Sequence, residues 1–233
     1  MYISLHVNQI SIINKLVQIC DQNMVRIKFV PDFQQYTKSH KVQVSYYQNT
    51  PILIFHPEPL EYAVNRFVKK IFDLCFSILV ILLIFPWLFP IVMLIIKTES
   101  SGPVFFKQER SGRDNRSFKC LKFRSMKVNS AADSKQARKG DSRVTKFGAF
   151  MRKTSIDELP QFFNVLIGDM SVVGPRPHMV NHTNQYRELI NNYLVRHYAK
   201  PDITGSAQVN GYRGQTKHLI DMKNRVHNDI WYI

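Results

Sequence analysis

Apolar positions over residues 1–60 arrive in short runs broken by polar ones. The runs predict strands near Tyr2–Leu5, at Val25–Val30, at Val42–Tyr46 and at Ile52–Phe55, with a turn at Pro31–Asp32. Between the first two, Ile10, Ile13, Leu16, Val17 and Cys20 recur at helical spacing. This is an α/β piece with no glycine-rich phosphate loop, and so few strands make a poor independent sheet. The pattern then changes. From Leu74 to Ile96 run 23 residues without one charge, the length a helix needs to cross a bilayer. The run begins more than seventy residues into the chain and lacks a small-residue cleavage site, so it is not a signal peptide. Pro86 and Pro90 fall inside it; each removes a backbone donor and crowds the carbonyl four residues earlier, which predicts a break rather than a straight helix.

Charges at the ends of the run separate two topologies. Arg66, Lys69 and Lys70 precede it, and Lys97, Lys107, Arg110 and Arg113 open a long basic series after it. A spanning helix would put one positive cluster outside, against the positive-inside tendency. A helix that enters, breaks at Pro86 and Pro90 and returns keeps both clusters in the cytosol. The re-entrant helix is the expectation, and a spanning helix with a proline kink is the alternative. Asp73, at headgroup depth, is expected to pair with Arg66 or Lys70.

Composition narrows the partners. With 32 Lys+Arg against 17 Asp+Glu the net charge is +15, which draws the chain to nucleic acid, anionic lipid or a phosphorylated substrate. Residues 97–177 hold 17 Lys+Arg and 8 Asp+Glu, so over half of the charge follows the apolar run directly. That proximity makes lipid and phosphate better partners than nucleic acid. A hydrophobic content of 45% excludes a disordered basic tail. Cys20, Cys75 and Cys120 are widely spaced and odd in number, which suggests neither a disulfide framework nor a zinc site. Residues 129–142, NSAADSKQARKGDS, read as a mobile loop.

Candidate chemistry lies after the apolar run. Asp157 and Glu158 sit in Ser155-Ile-Asp-Glu158, which reads either as a helix capping box or as two acids held together for another purpose. Pro160 weakens the box, because its missing N–H should have bonded the carbonyl of Ile156. Arg176, in Gly174-Pro-Arg-Pro177, has little conformational freedom; its planar fork is either held ready for a phosphate or exposed at a rigid turn. Lys122 and Arg124 alternate with Phe123 as in a strand, so both charges share a face turned to substrate phosphates or to anionic headgroups. Asp169 is either a further carboxylate near a metal or a turn residue. His178 and His197 show no ligand spacing and are assigned no role.

Several ordered motifs carry a resemblance. They are Ser101-Gly-Pro-Val-Phe-Phe-Lys-Gln-Glu-Arg110, Lys122-Phe-Arg-Ser-Met126, and Thr154-Ser-Ile-Asp-Glu-Leu-Pro-Gln161 running on to Gly168-Asp-Met-Ser-Val-Val-Gly-Pro-Arg-Pro177. Pro201-Asp-Ile-Thr-Gly205 and Gly211-Tyr-Arg-Gly214 follow. From about Arg66 to Tyr232 the chain resembles the bacterial sugar transferase family, the monotopic polyprenyl-phosphate phosphoglycosyl transferases of the undecaprenyl-phosphate glucose phosphotransferase kind.

The resemblance implies an α+β fold. Residues 1–60 would be the remnant of an α/β Rossmann-like domain, 61–97 a linker and re-entrant membrane helix, and 98–233 a mainly helical catalytic domain with a small β-hairpin. It implies transfer of a sugar 1-phosphate from a UDP-hexose to undecaprenyl phosphate with release of UMP, as the first membrane step of exopolysaccharide, capsule or O-antigen synthesis. Asp157 would be the nucleophile, with Glu158, Asp157 and Asp169 at a Mg²⁺ (or Mn²⁺) site and Arg176, Lys122 and Arg124 on substrate phosphates. The expected partners are the nucleotide sugar, polyprenyl phosphate, membrane lipids and a second copy of the chain, at the cytoplasmic face of the bacterial inner membrane, with no nucleic acid.

Departures from the family pattern are also present. Four spanning helices and a complete Rossmann-like domain are expected ahead of the catalytic part, and a further amphipathic helix after Trp231-Tyr-Ile233. Asp202 stands where glycine is common, and Ser206 where an aromatic often follows Thr204-Gly205. The second expectation is therefore a truncated, catalytically inactive membrane-binding fragment.

Overall fold

The computed structural model describes residues 2–5, 28–31, 42–48, 50–55, 58–128, 140–190, 192–212 and 218–233, together with residues 12, 15, 16 and 19. The chain divides into two compact units, Met1–Glu58 and Pro59–Ile233. In the first, β1 (Tyr2–Leu5) runs parallel to β2 (Lys28–Pro31), with Tyr2 opposite Lys28. A parallel pair needs a crossover connection. β3 (Val42–Tyr47) and β4 (Thr50–Phe55) form an antiparallel hairpin with Val42 opposite Phe55. The strands therefore lie close to where the apolar runs put them. Among the described residues they make two separate two-stranded sheets rather than the continuous parallel sheet of a Rossmann-like domain. Most of the helical stretch expected between Ile10 and Cys20, and the turn residue Asp32, lie outside the described residues.

The second unit opens on α1 (Ala63–Glu99), one continuous helix of 37 residues that carries Pro86 and Pro90 inside it. The break expected at these prolines is not present. A proline fixes φ near −65°, a helical value, so each one costs a hydrogen bond without forcing the chain out of the helix. Packing on one face supports the turns around them. The buried positions Asp73, Ser77, Val80, Phe85, Phe89, Val92 and Ile96 recur every three or four residues, except for the five-residue step from Val80 to Phe85 beside Pro86. The opposite face is apolar and exposed, with Ile71, Leu79, Leu82, Leu83, Trp87 and Leu94 uncovered. That distribution is unlike that of a soluble protein's core helix, which is apolar because it is covered on all sides.

Both ends of α1 are bound to the same folded unit. Near its start, Asp73 accepts a hydrogen bond from the backbone N–H of Val172 at 3.0 Å. Its ion-pair partner is Lys69 at 2.6 Å, one helical turn earlier, rather than Arg66 or Lys70. At the other end, Glu99 accepts from the N–H of Phe147 at 3.0 Å. The guanidinium of Arg124 donates to the carbonyls of Ser100 and Ser101 at 2.6 and 2.7 Å.

After α1, β5 (Phe105–Ser111) and β6 (Ser117–Phe123) pair as an antiparallel hairpin with Phe105 opposite Phe123. Its turn passes through Asp114 and Asn115, both in the left-handed region. α2 (Lys146–Thr154) is N-capped by Thr145, whose hydroxyl accepts from the N–H of Gly148 at 3.0 Å. A short 3₁₀ turn (Ile156–Glu158) leads into α3 (Gln161–Ile167), which ends at Gly168 with φ +91°. β7 (Ser171–Val173) lies parallel to β8 (Asp202–Thr204). Between them come α4 (Val180–Leu189) and a 3₁₀ turn at Tyr193–His197, and after them α5 (Ser206–Val209) and α6 (Leu219–Tyr232). Residues 129–139 of the expected loop, and Arg213 and Gly214, lie outside the described residues.

The core of this unit forms where α1 meets the hairpin and α3. Phe85 and Phe89 stack at 3.8 Å, Phe89 meets Phe123 edge-on at 4.6 Å, and Phe85 meets Phe163 at 5.3 Å. Met151 of α2 and Val172 of β7 close the cluster. The phenylalanines that read as membrane filler in the sequence are thus divided between the protein core and the exposed apolar face.

Candidate active site

The 3₁₀ turn that carries Asp157 and Glu158 arises from the residues around it. Ser155 ends α2 in the left-handed region, φ 63°, and its side chain makes no cap bond to the next turn. The capping-box alternative is therefore not realised. The carbonyl of Ile156, which Pro160 cannot reach with a donor, accepts instead from the N–H of Leu159 at 3.2 Å. The tighter 3₁₀ geometry so satisfies the group that the proline would have orphaned.

Both acids are buried, each 8% exposed. Lys122 of β6 and Arg176 converge on one oxygen of Glu158, Oε1, at 2.6 and 2.7 Å. Burial opposes ionisation of Glu158, but these two cations outweigh it and hold the carboxyl well below the usual carboxylate range. Asp157 goes the other way. Burial pushes its carboxyl up and the neighbouring Glu158 charge adds to this, while Lys122, Arg152 and Arg176 oppose the rise. Two adjacent carboxylates thus have different environments: one neutralised by direct contacts, the other buried with cations near it.

Arg176 is held by its own backbone. The four carbonyls of residues 175–178 each accept from another element. Pro175 accepts from the N–H of Asp202 at 3.0 Å, and Pro177 from Arg110 at 3.3 Å. His178 accepts from the N–H of Ser111 at 3.0 Å, and Arg176 accepts from the guanidinium of Arg196. With φ fixed at both prolines, the segment has little room to move. Arg196 is 1% exposed and forms an ion pair with Asp229 of α6 at 2.6 Å. His178 Nδ1 lies 2.6 Å from both the Tyr193 hydroxyl and Arg196 Nη1. Burial, with Arg196 beside it, pushes the pKa of His178 well down, so it is a neutral structural hydrogen-bonder.

The sequence-based site residues divide accordingly. Asp157, Glu158, Lys122 and Arg176 come together. Arg124 does not join them, because it lies just past the end of β6 and its guanidinium closes the C-terminal end of α1 on the Ser100 and Ser101 carbonyls. Asp169 follows the C-terminal turn of α3, its N–H donating to the carbonyl of Asn164 at 2.9 Å, so its backbone takes the turn role. Among the described residues no three His, Cys, Asp or Glu side chains gather as a metal cage. A Mg²⁺ bound by one or two carboxylates and completed by substrate phosphates and water needs no such cage, and the Asp157–Glu158 pair fits that smaller donor set.

Sequence reasoning missed Arg152, Arg196 and Asp229. Arg152 donates to the Ser125 hydroxyl at 2.8 Å and places its charge near Asp157. Its signal was available, since it lies on the last turn of the helix that delivers the acids. A cavity of about 360 Å³ opens beside the pair, lined by Ser155, Glu158, Ile203, Thr204 and Gln208 among others. It offers both apolar and polar walls next to the acids.

Residues 64–233 match the family model described as bacterial sugar transferase. The chain belongs to the bacterial sugar transferase family. It is 43% identical over its whole length to a UDP-glucose:undecaprenyl-phosphate glucose-1-phosphate transferase of Klebsiella pneumoniae, and 43% identical to one of Escherichia coli (strain K12). It spans about half the length of each, 50%. A third relative, the exopolysaccharide production protein PSS of Rhizobium leguminosarum bv. phaseoli, is 41% identical over 71% of this chain and 85% of its own length. In this bacterial sugar transferase a buried carboxylate, Asp157, adjoins a second one, Glu158, that is neutralised by Lys122 and Arg176 and lines a cavity.

Proposed function

We propose that the protein transfers a sugar 1-phosphate from a nucleotide sugar, a UDP-hexose, to undecaprenyl phosphate. The observation that carries this reading is the convergence of Lys122 and Arg176 on Glu158 beside buried Asp157. The names of the two enterobacterial relatives support the donor and the acceptor.

In the first step a carboxylate oxygen of Asp157 attacks the phosphorus that bears the sugar. The new bond is an acyl phosphate, the bond broken is the phosphoanhydride, and its electron pair leaves with UMP. In the second step an oxygen of undecaprenyl phosphate attacks the same phosphorus, the product is the polyprenyl diphosphate sugar, and the Asp157 carboxylate is restored. Lys122 and Arg176 hold phosphate oxygens in both steps, and Glu158 keeps those cations in place. Asp157 and Glu158 would hold the divalent ion, which supplies charge neutralisation for the departing nucleotide.

Apolar length and double attachment support a monotopic helix. At 1.5 Å per residue α1 is about 55 Å long, against a hydrocarbon core of about 30 Å, and its two ends are tied to one folded unit. The helix then lies along the cytoplasmic leaflet of the inner membrane with its uncovered apolar face turned to lipid, and both flanks stay in the cytoplasm. Cysteines introduced as Asn65→Cys and Ser101→Cys should react equally with an impermeant reagent added to inverted vesicles and be protected equally in intact cells. Opposite labelling would establish a span.

The function is tested on purified membranes with a panel of UDP-sugars. UMP release should occur with one donor, rise on adding undecaprenyl phosphate, and vanish in excess chelator. No UMP from any donor sinks the reading. The pH profile is a second check, because the nucleophile must be charged and burial raises its pKa. Adduct formation should fall, as pH is lowered, at a pH above the ordinary aspartate value of about 3.9, and Glu158→Gln should move that fall to lower pH by removing the like charge. An acid limb unmoved by the substitution would assign it to another group.

A further inference from the structure

Helix α1 has an apolar face that needs no carboxylate to be buried, yet Asp73 lies on it, 8% exposed. A buried charge is retained at a cost unless it is paired and bonded, and apart from Lys69 on its own helix the partners of Asp73 are both on β7. Lys69 pairs with Oδ1 at 2.6 Å, the Ser171 hydroxyl donates to Oδ2 at 2.9 Å, and the Val172 N–H donates to Oδ1 at 3.0 Å. The Lys69 ammonium also bonds the Ser171 hydroxyl. Ser171 and Val172 are two of the three residues of β7, and Arg176 follows four residues after Val172.

The link between them has no slack. A Cβ on Gly174 would come within 2.6 Å of the Lys200 carbonyl oxygen, so β7 runs into the Gly-Pro-Arg-Pro segment in close contact with the residues that lead into β8. The Val173 carbonyl accepts from the Tyr232 hydroxyl at 2.9 Å. Beyond it, φ is fixed at Pro175 and Pro177, and the carbonyls of residues 175–178 are all bonded. β7 and the Gly-Pro-Arg-Pro segment therefore form one stiff run held at both ends, by Asp73 on one side and by the bonded carbonyls on the other, so release at the Asp73 end removes one of the constraints that set the place of Arg176.

We propose that Asp73 is a positioning residue for Arg176: by gripping β7 it makes the seating of the apolar helix set the phosphate-binding guanidinium. Loss of the grip moves Arg176 relative to Glu158 and weakens hold on the donor diphosphate while leaving Asp157 intact. This rests on the reading that Arg176 binds donor phosphates.

A double-mutant cycle on the full chain in membranes tests it. Rates of UMP release against donor concentration are compared for wild type, Asp73→Ala, Arg176→Gln and the pair. Asp73→Ala should raise the donor KM about tenfold, below the roughly 100-fold that a 1 Å misplacement can cost, with kcat changed less than about threefold. In the Arg176→Gln background the same substitution should change KM less than about twofold, because the group it positions is already gone. Independent effects that multiply, or an unchanged KM in the single variant, overturn the proposal. Where Asp73→Ala does not stay folded and membrane-bound, as judged by thermal unfolding and vesicle flotation, Asp73→Asn takes its place. It keeps an acceptor for the Val172 N–H, so its rise should be smaller, about threefold, and should again disappear beside Arg176→Gln. The same cycle on UDP binding, followed by calorimetry, needs no turnover. It separates a failure of positioning from a failure of the transferase reading, in which wild type binds UDP but releases no UMP.

Discussion

Asp157→Asn should form no covalent sugar-phosphate adduct. The substitution keeps the shape of the side chain and its place on the 3₁₀ turn but removes the attacking charge, so the acyl phosphate cannot form. Transfer to undecaprenyl phosphate should fall by about three orders of magnitude or more, as is usual when a nucleophile is removed. Glu158→Gln differs in kind. It leaves the nucleophile but frees Lys122 and Arg176 from the oxygen they share, so adduct still forms, slowly, and high Mg²⁺ should restore part of the rate. The measurement uses donor labelled in the sugar. Wild type should retain label in the absence of undecaprenyl phosphate and lose it when the acceptor is added. Label on Asp157→Asn would move the nucleophile elsewhere, and product formation by a wild type that never labels would indicate direct transfer between donor and acceptor.

The second large effect is on stability. Asp229→Ala removes the ion-pair partner of Arg196, whose side chain is 1% exposed in the structure, against 0% for Asp229 itself. A guanidinium left buried and uncompensated costs about 3–5 kcal/mol. For a unit of this size that is a Tm lower by roughly 10 °C, read by thermal unfolding in detergent. Because Arg196 also holds the Arg176 carbonyl, adduct formation should slow even at temperatures where the variant is folded. Replacing both partners together, as Arg196→Met with Asp229→Leu, should recover much of the Tm, since no lone charge remains. It should not recover the rate, since the donor to the carbonyl is gone. An unchanged Tm in Asp229→Ala would show that the pair contributes nothing to holding α6 in place.

Local pattern alone determined much of this protein. The charge-free run from Leu74 to Ile96 specified a long apolar helix, and alternation around Phe123 specified the strand that carries Lys122. Asp157, Glu158 and Arg176 were singled out by the resemblance that the ordered motifs carry; spacing alone left each of them a structural alternative. The same locality was incomplete at four points. Pro86 and Pro90 predicted a break, but packing on the Phe162 and Phe123 side of the core supports the helix through them. Ser155-Ile-Asp-Glu158 offered a capping box, but Ser155 closes the preceding helix. Arg124 shares a motif with Lys122, yet it caps α1. Asp73 had three basic neighbours, and only contact with β7 selected Lys69.

Tertiary structure alone decided the functional arrangement. Glu158 joins a β6 lysine to an arginine eighteen residues further on, and Arg196 receives its counter-charge from α6. Such pairs depend on how distant elements pack, and no periodicity along the chain records them. Burial does the rest: it separates the ionisation of two adjacent carboxylates that are chemically near-equivalent in the sequence, and it makes a lone arginine or aspartate in the interior consequential, because there a charge without its partner has no water to replace it.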